Sequence, residues 1–192
     1  MISPRTIRQL RLLTTLLVAA GAEAQIGVGP PQQEDDLRAA LILGFARFTE
    51  WPVELEGPIV IGVLGRPGIS TALERVSAGK IVNGRSVVIR HLRNPGQAAG
   101  CHILYFGRLP GQRVPEVMAE ARGLDVKTPV LAIGEEDRFL SDGGAVQLFE
   151  EDGRMSFEVN LRSLQRANLS ISSKLLRLGY TSGVSRRGRG TP

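Results

Sequence analysis

The chain has 192 residues, 42% hydrophobic and 22% charged, with a single cysteine, Cys101. That length suits one ordinary domain with short appendages, and the composition excludes a disordered chain or a collagen-like fibre. One cysteine excludes an intrachain disulfide and any zinc site built on cysteine pairs.

The net charge of +5 sits at the ends of the chain. Arg5, Arg8 and Arg11 face one acid, Glu23, in the first 24 residues, and Arg186, Arg187 and Arg189 face none in the last 13. Setting these aside leaves eighteen basic and eighteen acidic residues over 25–179. A neutral body offers no broad basic face to neutralise phosphates, so no nucleic acid is expected as a partner.

Residues 1–11 are basic, residues 12–20 (LLTTLLVAA) are apolar, and Ala22-Glu23-Ala24 has the small-x-small pattern of a cleavage site. This order reads as a secretory signal peptide over residues 1–24. The alternative is an uncleaved signal anchor, but the apolar run is far shorter than the roughly 20 residues needed to span a bilayer. No later stretch is long and apolar enough to span. The expected product is soluble and periplasmic, with no direct membrane insertion after cleavage.

Residues 25–33 read as a flexible lead-in rich in Gly, Pro and Gln. A helix follows over 34–49, with Leu37, Ala40, Leu41, Gly44, Phe45 and Phe48 on one apolar face. Glu34, Asp35 and Asp36 crowd its first turn, where the helix dipole favours negative charge. Pro52 disfavours a helical Trp51 and ends it. Residues 58–64 (PIVIGVL) read as a strand buried on both faces. A Gly/Pro turn at 65–68 leads to a helix in which Thr71 and Glu74 have capping-box spacing. Residues 85–91, 101–106 and 129–133 read as further strands, with a short helix over 114–122.

The alternation predicts an α/β fold: three layers around a mostly parallel, Rossmann-like sheet, its first four strands in the order 2-1-3-4. The last third changes character. Residues 144–150 and 154–160 are strands of an antiparallel hairpin turned by Asp152-Gly153, and short helices at 161–167 and 172–178 close a single domain over 34–179. Residues 180–192 read as a disordered basic tail.

Catalytic patterns are largely absent. No Gly-Lys-Ser/Thr triplet or Gly-x-Ser-x-Gly elbow occurs, and Gly62, Gly65 and Gly68 have the wrong spacing for a dinucleotide fingerprint. The two histidines, His91 and His102, fall in or beside strands and read as structurally satisfied. Glu135, Glu136 and Asp137 lack calcium-loop spacing and read as a solvated loop. No cofactor, metal or catalytic residue is assigned. Cys101 reads as a buried small hydrophobe, with an intermolecular disulfide as the alternative.

Two surface features remain. In a 2-1-3-4 sheet the chain reverses direction between the first and third strands, and loops 65–68 and 107–111 would line the crevice there. Each carries one arginine, Arg66 and Arg108, which together suit a small anion such as a carboxylate or phosphate; the alternative is two solvated arginines. The hairpin reads as an edge with one wet face, its tip Glu150, Glu151 and Asp152 offering a partner or homodimer surface.

Several segments in order resemble the YfiR/HmsC-like family over about residues 37–178. They are Phe45 to Pro52 with its Trp-Pro end, Ile59–Gly65, Asn83-Gly84-Arg85, Cys101–Phe106, Val130–Gly134 with Phe139 and Gly143-Gly144, Met155–Asn160 and Asn168–Leu176. The resemblance implies a periplasmic protein without catalytic activity that holds an inner-membrane diguanylate cyclase inactive through its periplasmic sensor domain, lowering cyclic di-GMP and biofilm formation. It also implies disulfide-linked control in some relatives, which the lone Cys101 rules out within this chain. A periplasmic small-anion sensor without a cyclase partner is the alternative function.

Cell fractionation with N-terminal sequencing is expected to find a soluble protein beginning at Gln25; a cytoplasmic protein retaining Met1 would refute export.

Overall fold

The computed structural model describes residues 31–52, 57–107, 114–123 and 129–182. The signal segment, most of the lead-in, Arg108 and the chain beyond Ser182 lie outside the described residues. The elements are α1 (Pro31–Phe48), β1 (Thr49–Glu50), β2 (Ile59–Leu64), α2 (Pro67–Ser77), β3 (Ile81–Val82) and β4 (Arg85–Leu92). A 3-10 turn at Pro95–Gln97 precedes β5 (Ile103–Phe106), α3 (Val114–Gly123), β6 (Leu131–Gly134), β7 (Val146–Glu151) and β8 (Arg154–Asn160). The chain continues through α4 (Leu161–Arg166), β9 (Ser170–Ile171), α5 (Ser173–Leu176) and β10 (Tyr180–Ser182).

Eight strands form one mixed, mostly parallel sheet in the order β10-β8-β7-β6-β5-β2-β4-β3, while β1 and β9 pair separately. β2 lies centrally because every residue in it is apolar or glycine and nearly all are buried. Its alternate residues serve two cores. Ile59, Ile61 and Val63 pack with Ile42, Phe45 and Leu73 of α1 and α2. Leu64 packs with Leu104, Phe106, Val117, Met118 and Phe139 on the α3 side. Helices therefore cover both faces, and the sheet is the middle of three layers.

The structure shifts several expected boundaries. α1 starts at Pro31, inside the expected lead-in, since proline's fixed φ suits the first helical turn. Its buried face is rotated from the expected one: Leu37 is 52% exposed, whereas Arg38, Ala39, Ile42, Phe45 and Ala46 are buried. A buried arginine on the inner face is what an apolar pattern cannot register. α2 begins at Pro67 with Arg66 at its N-cap and no side-chain cap, so Thr71 and Glu74 lie within the helix rather than at its start.

At the hairpin, Asp152 and Gly153 both take positive φ (51° and 72°), as a two-residue primed turn requires. The hairpin is the sheet edge only in part: among the described residues its outer strand is paired over Glu158–Asn160 and not over Arg154–Phe157. Tyr180–Ser182, read from the sequence as disordered tail, form β10 and pair in parallel with Glu158–Asn160 of β8. Tyr180 stacks on Phe149 at 6.0 Å between ring centroids and donates to Glu151 Oε2 at 2.7 Å. Three residues beside a Gly/Arg-rich tail are thus held by one aromatic contact, one hydrogen bond and a parallel ladder.

Two glycines are fixed by one ring. Gly134 ends β6 and Gly144 precedes β7, and a Cβ at either would run into the Phe139 side chain. Gly134→Ala and Gly144→Ala are each expected to destabilise the fold by about 1–3 kcal/mol, the usual cost of overpacking a filled core. Chemical denaturation measures this; wild-type stability in both would show the ring free to move.

Candidate functional site

Crossovers run from β2 outward to β4, then return through β5 to β6, so their direction reverses between β2 and β5. The crevice at the carboxyl ends of these strands is the expected ligand position in an open α/β sheet. Arg66, next but one after β2, lies there. Its surroundings are the chain's own carboxylates: Arg66 Nη2 is 2.7 Å from Asp35 Oδ1 and Nη1 is 3.1 Å from Glu135 Oε2.

Arg38 enters from α1 and completes a cluster. Its Nε is 2.8 Å from Glu135 Oε1, and its Nη1 is 3.0 Å from Glu34 Oε2 and 3.9 Å from Asp35 Oδ1. Two of the contacts, at Asp35 Oδ1 and Arg38 Nε, are close ion pairs without aligned hydrogen bonds. From β5, the Tyr105 hydroxyl donates to Glu135 Oε1. The Asp35 carboxylate rests against Gly68 in the first turn of α2, where a Cβ would collide with it. The Asp35 carboxylate thus lies between Arg66 and the first turn of α2. Glu135, read from the sequence as part of a solvated loop, turns inward after β6, while Asp137 remains exposed.

Among the described residues the cluster sets two arginines against three carboxylates, one formal negative charge. Burial opposes the Arg38 charge, but Glu135 and Glu34 more than offset it, so its pKa lies above the usual value. Burial, then the adjacent Glu135 carboxylate, push the Tyr105 phenol far above the ordinary tyrosine range. Tyr105 therefore serves as a proton donor that keeps its proton.

The remaining candidates divide. Glu150, Glu151 and Asp152 are all exposed at the hairpin tip, with Glu151 engaged by Tyr180. Cys101 is fully buried, and burial raises its pKa against the opposing influence of Arg90, whose Nη1 is 3.7 Å from Sγ. A buried thiol in this state is poorly placed for a disulfide with a second chain. Buried His102 accepts the Val60 N–H at Nδ1, 3.0 Å away.

One pairing was not foreseen from the sequence: Ser70 Oγ lies 3.1 Å from His91 Nδ1, joining α2 to β4. Ser70 is 6% exposed. The pair meets the distance condition for a nucleophile and base, but the hydroxyl has no open approach.

The residues that carry the family resemblance are chiefly structural. Asn160 caps α4 by accepting from the Arg162 and Ser163 N–H groups, Ser172 caps α5, and Asn168 holds a positive φ of 53°. Trp51 Nε1 donates to Pro129 O at 3.1 Å. The profile of the YfiR/HmsC-like family matches residues 35–180. The chain belongs to this family. Among solved structures it is similar to a conserved domain protein from Vibrio cholerae (TM-score 0.48, 13% identity, 77% of this chain and 59% of that one). It is also similar to the ABC domain in complex with L-Trp from Streptococcus pneumoniae (TM-score 0.43, 10% identity, 64% of this chain and 54% of that one). The chain thus spans less than two thirds of either of these two.

Within this YfiR/HmsC-like domain, Arg38→Met leaves Glu34, Asp35 and Glu135 short of a buried counter-charge. A loss of about 3–5 kcal/mol is expected on denaturation, as when one partner of a buried pair is removed. A change below 1 kcal/mol would show the cluster to be solvated. The raised Tyr105 pKa has a defined sign. The unfolded chain releases this proton near pH 10 while the folded chain retains it, so the stabilisation is full below about pH 10 and is lost as pH rises further. The fall in stability above pH 10 is expected to be shallower in Tyr105→Phe than in wild type; identical slopes would remove Tyr105 as its source.

Proposed function

We propose that this protein is an exported periplasmic regulator that represses an inner-membrane diguanylate cyclase by binding its periplasmic sensor domain, lowering cyclic di-GMP and biofilm formation. The observation that carries the reading is the family match, which spans residues 35–180 and so nearly the whole described domain. The crevice is in keeping with it. Asp35 and Glu135 already engage Arg66, which weighs against the alternative of a small-anion sensor using Arg66 and Arg108. The buried Ser70 hydroxyl likewise weighs against a hydrolase. Recognition then belongs to the surface.

On that surface the hairpin tip is the segment we assign to the partner. Glu150, Glu151 and Asp152 form an exposed acidic end to two paired strands, and charge at an interface rim governs encounter and register.

The test is direct binding of the exported protein to the purified periplasmic domain of a cyclase encoded beside it. Saturable binding is expected, weakened at least fivefold when Glu150, Glu151 and Asp152 are changed together to lysine. Binding unaffected by the triple change, with circular dichroism unaltered, would remove the hairpin from the interface. No binding of the wild type would overturn the cyclase reading itself.

A further inference from the structure

The opposite end of the sheet is incompletely covered. β3 is two residues long and pairs only with Arg85 and Ser86 of β4. β4 continues to Leu92 with β2 on its inner side. Its outer side over Val87–Leu92 has no strand partner among the described residues. Six residues make about 20 Å of free edge, with alternate N–H and C=O groups directed outward. The edge ends at Arg93, whose N–H is held by Gln97 Oε1 at 2.8 Å.

Beside this edge lies a cavity of about 300 Å³ between the end of α2 and the strand, its apolar lining including Ala78, Ile81, Val87 and Ile89. Ile81 is 65% exposed, and Val88, on the other face of β4, is 41% exposed. An added strand would therefore meet hydrogen-bonding groups along its backbone, a groove for its side chains on one face and an exposed valine on the other.

Charge selects the occupant. Between Glu74 and Glu116 the sequence contains no acidic residue, while Lys80, Arg85, Arg90 and Arg93 lie along or beside this edge. The one acid lining the groove is Glu74, on the α2 side. Two copies of β4 placed edge to edge would bring these like charges together, the usual protection of an edge against self-pairing. An acidic segment meets no such repulsion.

We propose that the free edge of β4 binds an extended acidic segment of a partner protein by strand addition, with alternate apolar side chains entering the groove beside Ile81, Val87 and Ile89. The inference holds whichever protein supplies the segment, so it does not depend on the cyclase reading.

Fluorescence anisotropy with the exported protein tests it, using a labelled seven-residue peptide alternating Val and Glu. Three controls accompany it: a Val/Lys peptide, a Val/Glu peptide with alternate amides N-methylated, and the Lys80→Glu/Arg93→Glu variant. Saturable binding of the Val/Glu peptide is expected. The N-methylated and Val/Lys peptides should not saturate. The variant should bind about tenfold more weakly, since reversing two exposed charges replaces attraction by repulsion. The idea is overturned if the Val/Glu peptide fails to saturate, if either control peptide matches it, or if the variant binds equally. It is also overturned if sedimentation shows a wild-type dimer that the variant dissolves, because the edge would then belong to a second copy. Lys80 and Arg93 are exposed, and the N-methylated peptide reports on the wild-type fold without any substitution.

Discussion

The buried guanidinium of Arg38 is the constraint around which this molecule is arranged. An arginine in a protein interior stays charged and must find carboxylates there. Arg38 finds Glu34 on its own helix and Glu135 at the end of β6. Glu135 in turn holds Arg66 at the start of α2 and receives the Tyr105 hydroxyl from β5. One ion cluster therefore fixes the rotation of α1 about its axis, the approach of α2 and the ends of β5 and β6. The apolar contacts follow from that rotation, including the edge-on packing of Phe45 against Phe157 at 5.0 Å.

The same cluster bears on function. The carboxyl end of a parallel sheet is where α/β proteins commonly hold substrates and nucleotides. Here the chain's own Asp35 and Glu135 hold Arg66 at that position. The charges outside the cluster are distributed asymmetrically, with acidic residues at the β7–β8 tip and basic residues along β4.

Much of this was legible in the residues. The two-sided apolar run of β2, the Asp-Gly turn and the Trp51-Pro52 stop to α1 each have a local cause, and the structure follows them. The α/β class and the mostly parallel sheet follow from the same alternation. Most of the departures share one physical origin: charge used internally. Apolar periodicity placed Leu37 inside and was silent on Arg38, because a pattern of hydrophobic positions carries no information about a buried ion pair. The first-turn acids were read as companions of the helix dipole, although Asp35 reaches Arg66 from another element. The Ser70–His91 contact was equally invisible, since only the packing of α2 over β4 brings the two together. β10 was missed for another reason: its three residues were read with the Gly/Arg-rich tail, and Phe149 and Glu151 of β7 hold them in place.

Intracellular cyclic di-GMP is the quantity closest to the central claim. In a strain lacking this gene it should rise. It should return to the parental level when the full chain is restored, and stay high when residues 1–24 are omitted so that the protein remains in the cytoplasm. Unchanged cyclic di-GMP in the deletion strain, or full restoration by the unexported form, would contradict a periplasmic repressor of the cyclase.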